Sequence, residues 1–148
     1  MLKKILFQHC TNDLNKSLLL LEKRKAELFI ALESESKSSA GDKHETGRAM
    51  LQLEREKLGE QIKEIEKRLK LLQSLKNHNT TTRVSLGSVI KTDHLNYYIA
   101  ISCPTLTIDQ EKYYCISALS PIGKLLLGKK VNETIQFNHT ISSIIEIC

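Results

Sequence analysis

Residues 58–72 read LGEQIKEIEKRLKLL. Leu58, Ile62, Ile65, Leu69 and Leu72 follow one another at alternating steps of four and three. Such spacing keeps an apolar seam on one side of a helix, the pattern by which two helices pair as a coiled coil. The residues between are mostly charged, and Glu64–Arg68 and Glu66–Lys70 stand at the i,i+4 spacing that supports an exposed helical face. Carried back to Leu51, the pattern predicts a helix from Thr46 to about Leu75.

A helix with a bare apolar stripe needs a partner. Upstream, Leu14, Leu18, Leu21, Leu28 and Leu32 repeat the spacing, with Lys25 in the missing seam position. They predict a first helix from Asp13 to about Lys37, with Thr11 or Asn12 as its N-cap. Each helix has about 25–30 residues and spans roughly 40 Å. The connection SSAGDKHETG at residues 38–47 is small and polar. A connection this short makes its helices antiparallel neighbours, so the prediction is a helical hairpin over residues 1–75 with its tip at Ser38–Glu45. The alternative is that each seam binds a second chain. The matched seam lengths favour pairing within one chain, and a monomer is expected.

After Leu75 the period changes. KNHNTTTR at Lys76–Arg83 is rich in turn formers and reads as a linker. Beyond it, RVSLGSVI, LNYYIAIS, KYYCISAL, ETIQFN and ISSIIEI are strand candidates, with Tyr97, Ile99 and Ile101 on one face and Tyr98 and Ala100 on the other. SPIGKLLLGKK is the exception. Ser120 suits an N-cap, Pro121 the first helical position and Gly128 the residue past the end. Ile122, Leu125 and Leu126 would press this short helix onto the sheet. The fold class expected is α+β, with a small, mostly antiparallel β domain over residues 84–148.

The chain has 148 residues, 41% of them hydrophobic and 26% charged, with aromatics at 5% and no Trp. This describes a folded chain built on Leu and Ile rather than on one large aromatic core. Its net charge of +5 permits contact with nucleic acid or an acidic surface without requiring it, and the charges along the first half are mixed in sign. Cys10, Cys103, Cys115 and Cys148 form no C-x-x-C pair, which disfavours a zinc ribbon. They read as reduced thiols packed as small apolar residues. MLKKILFQHC is broken at Gln8 and His9 and lacks a cleavage site, and SLLLLEK is too short to span a bilayer. A cytoplasmic location without membrane contact is expected.

Two stretches invite chemical readings. Gly123–Lys130 reads G-x-x-x-x-G-K-K, but a phosphate-binding loop needs Ser or Thr where Lys130 stands, and Lys-Leu-Leu-Leu fills a helix. At the tip, Asp42 and Glu45 are three positions apart. Two carboxylates so placed can complete a magnesium site whose other ligands a partner supplies, since magnesium prefers oxygen and keeps several waters. The plainer reading makes Gly41-Asp42 a turn and Glu45 a first-turn acid favoured by the helix dipole.

A Gly-Asp-x-x-Glu tip on a helical hairpin, followed by a β domain containing Ser-Pro-Ile-Gly and Leu-Leu-Gly-Lys-Lys, resembles the bacterial Gre transcript cleavage factors. The likeness is strongest at SPIGKLLLGKKV and EQIKEIEKRL. It implies an FKBP-like C-terminal domain that docks at the RNA polymerase secondary channel, with Ser120, Pro121, Ile122 and Gly123 in the docking region. It implies that Asp42 and Glu45 help hold a magnesium ion shared with the polymerase, and that Lys37, Lys43 and Arg48 contact the RNA. Such a protein is an accessory factor that stimulates the polymerase to hydrolyse backtracked RNA, not an enzyme itself. Lys43 and the stretch Thr46–Ala49 depart from the family's usual tip, which leaves open a channel-binding regulator without cleavage activity. A chaperone or peptidyl-prolyl isomerase is a third reading, against which stands the small number of aromatic residues available to line a pocket.

Overall fold

The computed structural model describes residues 1–37 and 42–148, with side chains for 1–35 and 46–148. Two long helices, α1 (Leu2–Lys37) and α2 (Asp42–Ser74), precede strands β1 (Val89–Thr92), β2 (Asn96–Ala100), β3 (Cys103–Ile108) and β4 (Glu111–Ser117). A short helix α3 (Pro121–Leu126) and strands β5 (Thr134–Phe137) and β6 (Thr140–Ile147) complete the chain. The fold is α+β, a helix pair followed by a mixed sheet with one short helix, as the two periodicities require.

The chain forms two compact units, Leu14–Arg68 on one hand and Met1–Asp13 with Leu69–Cys148 on the other. In the first, Leu14, Leu28, Leu32, Leu58 and Ile62 are buried, while Lys25 is exposed. These belong to the predicted seams, whose Leu18, Leu21, Leu51 and Ile65 are half-buried. The helices run antiparallel: Arg24 Nη2 meets Glu54 Oε1 at 2.5 Å, and a Cβ built on Gly47 would lie 3.6 Å from Glu35 Oε1. The i,i+4 pair Glu64–Arg68 closes to 3.6 Å.

In the second unit the sheet order is β3-β4-β2-β1-β6-β5. Four neighbouring pairs are antiparallel, and β2 pairs with β4 in parallel, Tyr98 opposite Cys115. The connections β3–β4 and β5–β6 turn on adjacent residues with positive φ, Asp109 and Gln110 at 51° and 70°, Asn138 and His139 at 50° and 66°. Two such residues in a row give the type I′ turn whose twist matches a hairpin. Side chains alternate between the faces of β2. Tyr97 and Ile99 join Val84, Ile90, Ile122, Leu126, Ile135 and Ile144 in one core cluster. Tyr98, on the opposite face, lies near Cys10, Cys103 and Cys115, and it borders a cleft shared with Phe7 and Leu75. The sheet centre is therefore covered on both faces, which is why Tyr97–Ile101 is buried without interruption.

Three local expectations change. The first helix begins at Leu2, not Asp13, and Thr11 is no cap: its hydroxyl donates to the Phe7 carbonyl at 2.9 Å, as in a helix interior. Leu6 and Cys10, both buried, extend the four-residue spacing upstream of Leu14 and hold these turns in the sheet unit. Strand β3 arises from CPTLTI, where Pro104 is tolerated because β3 is an edge strand. Leu125 does not press on the sheet. It is 39% exposed, and Ile122 and Leu126 alone carry the apolar face of α3.

Candidate functional site

The Ser120–Gly123 corner is fixed by its backbone needs. Ser120 is extended (φ −67°, ψ 156°), and its hydroxyl accepts from the Gly123 amide at 3.1 Å while donating to the Ser117 carbonyl at 2.6 Å. One side chain thus caps α3 and ties it to the end of β4. Pro121 occupies the first turn, where no amide is required. Past the helix, Gly128 takes φ +83° and its amide donates to the Val84 carbonyl at 2.8 Å, while the Val84 amide donates back to Lys129 at 2.8 Å. Of the four residues assigned to docking, Ile122 and Gly123 are buried and serve the fold. Ser120 is half-buried and Pro121 exposed, and Leu119 beside them is 80% exposed.

Ile122 also lines an apolar cleft of about 540 Å³ with Tyr97, Tyr114, Ile116, Ile135 and Phe137. The Tyr97 and Tyr114 rings stand 6.3 Å apart at 44°. Burial, then the neighbouring Tyr114, pushes the Tyr97 hydroxyl pKa up. Three of the aromatic residues that the sequence distributes among separate strands thus converge on one concavity.

At the predicted tip, the backbone places Lys37 last in α1 and Asp42 first in α2. Helix therefore starts inside the stretch expected to be loop, and Asp42, Lys43 and Glu45 share the first turn of α2. The side chains of Lys37, Asp42, Lys43 and Glu45 lie outside the described residues, as do residues 38–41. Arg48 follows on α2 and is exposed.

A further cluster was not visible in sequence spacing. Cys10 of α1, Cys103 of β3 and Cys115 of β4 come together although 93 positions separate the first two. The sulfurs of Cys10 and Cys103 are 3.0 Å apart, and Cys103 and Cys115 are cross-strand partners. A ring nitrogen of His9 and the sulfurs of Cys103 and Cys115 lie within 4.8 Å of one another. His9 Nε2 is 2.8 Å from the Pro104 carbonyl. The cysteines are not independent fillers of the core. Their pKa values are displaced by each other: hydrogen bonds from Cys10 and then Cys103 lower that of Cys115, whereas the bond to Cys103 raises that of Cys10. The only sequence signal was Leu6-Cys10-Leu14, which puts Cys10 on the inward stripe of α1.

Among the described residues, no helix is long and apolar enough to cross a membrane. No protein-family model and no curated protein matches the chain. Among solved structures, the GreA factor homolog 1 (Gfh1) protein of Thermus thermophilus is similar to it, at 18% identity over 93% of this chain and 94% of that one, with a TM-score of 0.36.

Proposed function

We propose that this chain is a Gre-like factor that binds RNA polymerase at the secondary channel and stimulates cleavage of backtracked RNA by the polymerase itself. The observation that carries the reading is the SPIGKLLLGKKV segment. It folds into a capped α3 whose glycines and proline each meet a specific backbone requirement, in a chain that also holds a paired helical hairpin. The hairpin would enter the channel, and Ser120, Pro121 and the exposed Leu119 would form part of the docking surface.

Asp42 and Glu45 are the proposed ligands for a magnesium ion shared with the polymerase. Magnesium held there lowers the pKa of a bound water and offsets charge on the phosphate. Standing in the first turn of α2, the two acids are three residues apart along the helix. Lys37, Lys43 and Arg48 are assigned to contacts with the nascent RNA, as positioning charges without base selectivity.

The deciding assay adds the protein to backtracked polymerase with magnesium and follows RNA length. Release of short 3′ fragments, abolished in Asp42→Asn and Glu45→Gln, is the expected result. Binding to polymerase with no fragment release would leave the channel-binding regulator, and absence of binding would remove both readings.

The apolar cleft favours a second reading, binding of a proline-containing peptide with isomerase or chaperone activity. Tyr97, Tyr114 and Phe137 line it as such a site requires. Acceleration of cis–trans exchange in a short Xaa-Pro peptide, lost in Phe137→Ala, would support it. An unchanged exchange rate would dismiss it.

A further inference from the structure

We propose that His9, Cys103 and Cys115, whose ligand atoms lie within 4.8 Å of one another, hold a thiophilic metal ion, zinc being the natural occupant, and that Cys10, 3.0 Å from the Cys103 sulfur, turns in on binding as the fourth donor, pinning the first turns of α1 to the β3–β4 edge. Three sulfurs and one imidazole make the borderline-soft donor set of closed structural zinc sites. A carboxylate is not among them, so magnesium and calcium are poor candidates.

The ligands arrive from two directions. Cys103 and Cys115 are Cα partners across β3 and β4. His9 and Cys10 are neighbours on α1, and they straddle the start of β3: Cys10 reaches the Cys103 sulfur at 3.0 Å, and His9 the Pro104 carbonyl at 2.8 Å. That carbonyl can only accept, so Nε2 carries the proton and the lone pair is left on Nδ1. Metal-binding histidines are commonly oriented in this way, by donating the other ring nitrogen to a backbone carbonyl.

Three of the donors already lie within 4.8 Å of one another, and Cys10 sits beside one of them. Thiolates bound tetrahedrally to zinc at about 2.3 Å stand roughly 3.7 Å apart. Cys10 and Cys103, at 3.0 Å, need to open by less than an ångström. A Cys10–Cys103 disulfide would need a comparable closing movement, since its bond is about 2.05 Å. It would leave the Cys115 thiol and the His9 imidazole unused, whereas a metal engages all four groups. On binding, each ligating thiol gives its proton to the buffer, its S–H bond is replaced by a sulfur–metal bond, and the imidazole joins as a neutral donor.

The full-length protein, stripped with chelator and kept reduced, is titrated with Co²⁺ and then Zn²⁺. The proposal expects uptake of one Co²⁺ per chain, with thiolate-to-cobalt charge-transfer and tetrahedral d–d absorption that Zn²⁺ abolishes. Cys103→Ser and Cys115→Ser should each weaken uptake at least about tenfold, while Cys148→Ser should not change it. Zinc should also raise the melting temperature of the unmodified chain, a readout that does not depend on the variants folding. Reduced protein showing no thiolate–cobalt absorption would overturn the proposal. So would Co²⁺ uptake by Cys103→Ser as tight as that of the unmodified chain, or loss of two hydrogens to a Cys10–Cys103 disulfide under hydrogen peroxide in a chain that takes up no metal.

Discussion

A Cβ built on Gly123 would lie 2.3 Å from the Ser117 carbonyl oxygen, a backbone atom that cannot step aside. Gly123→Ala must therefore displace the start of α3 from the end of β4. Overpacking of this kind costs about 1–3 kcal/mol. Ser120→Ala keeps the space but loses the bond to the Gly123 amide, and a lost cap costs about 1 kcal/mol. Urea denaturation followed through the tyrosines should rank the two in that order. Equal and negligible losses would show that the corner is not held as described.

His78 makes stability depend on pH. Lys3 Nζ lies 3.0 Å from its Nδ1, and an ammonium can only donate, so Nδ1 accepts and Nε2–H donates to Ser85 Oγ at 3.1 Å. Burial, then the Lys3 charge, holds the His78 pKa below its usual 6.5. The unfolded chain consequently takes up the proton first. The contribution is complete above about pH 6.5 and is lost as pH falls through that value and then through the lower folded pKa. His78→Gln preserves one acceptor and one donor without titrating. Its urea midpoint should vary less than that of the unmodified chain between about pH 7.5 and 5. Identical slopes would remove His78 from the explanation.

Leu6 and Leu72 are fully buried, one at the start of α1 and one at the end of α2. Truncating either to Ala should cost about 2–5 kcal/mol, the range for a large aliphatic group in a packed core. Leu19, 72% exposed, should tolerate Leu19→Ala within about 0.5 kcal/mol. A melt in which Leu6→Ala behaves like Leu19→Ala would contradict the placement of the first turns of α1 in the sheet unit.

Leu119 offers a way to separate folding from the proposed docking. It is 80% exposed beside the capped corner, so Leu119→Ser should change stability by no more than about 0.5 kcal/mol. If the corner meets polymerase, the same change should weaken binding measurably in a pull-down or anisotropy titration. Unchanged affinity would move the docking surface elsewhere.

How far the sequence could be read depended on which residues filled the periodic positions. Both seams were legible because Leu and Ile mark them at steps of three and four. The start of α1 was not, since Cys10 occupies an inward position without looking apolar enough to count, and Thr11-Asn12 imitates a cap. Strand β3 was hidden by Pro104 and by two outward threonines, the composition of an edge rather than of a core strand. The α3 corner was legible almost to the residue, because Ser, Pro and Gly each answer one backbone requirement. Of the thiol cluster only the inward place of Cys10 could be read: cysteines so far apart in sequence meet through the β3–β4 register and the packing of α1.

The division of the chain at Leu14 and Arg68 has one more consequence. Residues before and after the helical hairpin belong to the same compact unit, so the hairpin is a cassette inserted into a single discontinuous domain. Adding or removing matched heptads within Leu14–Arg68 would change the length of the cassette while leaving the sheet unit its own core. During synthesis, Cys10 emerges long before Cys103 and Cys115, which it meets in the folded unit. The sheet unit can close only once translation has passed β6, which lies between β1 and β5, whatever length of hairpin has been threaded in between.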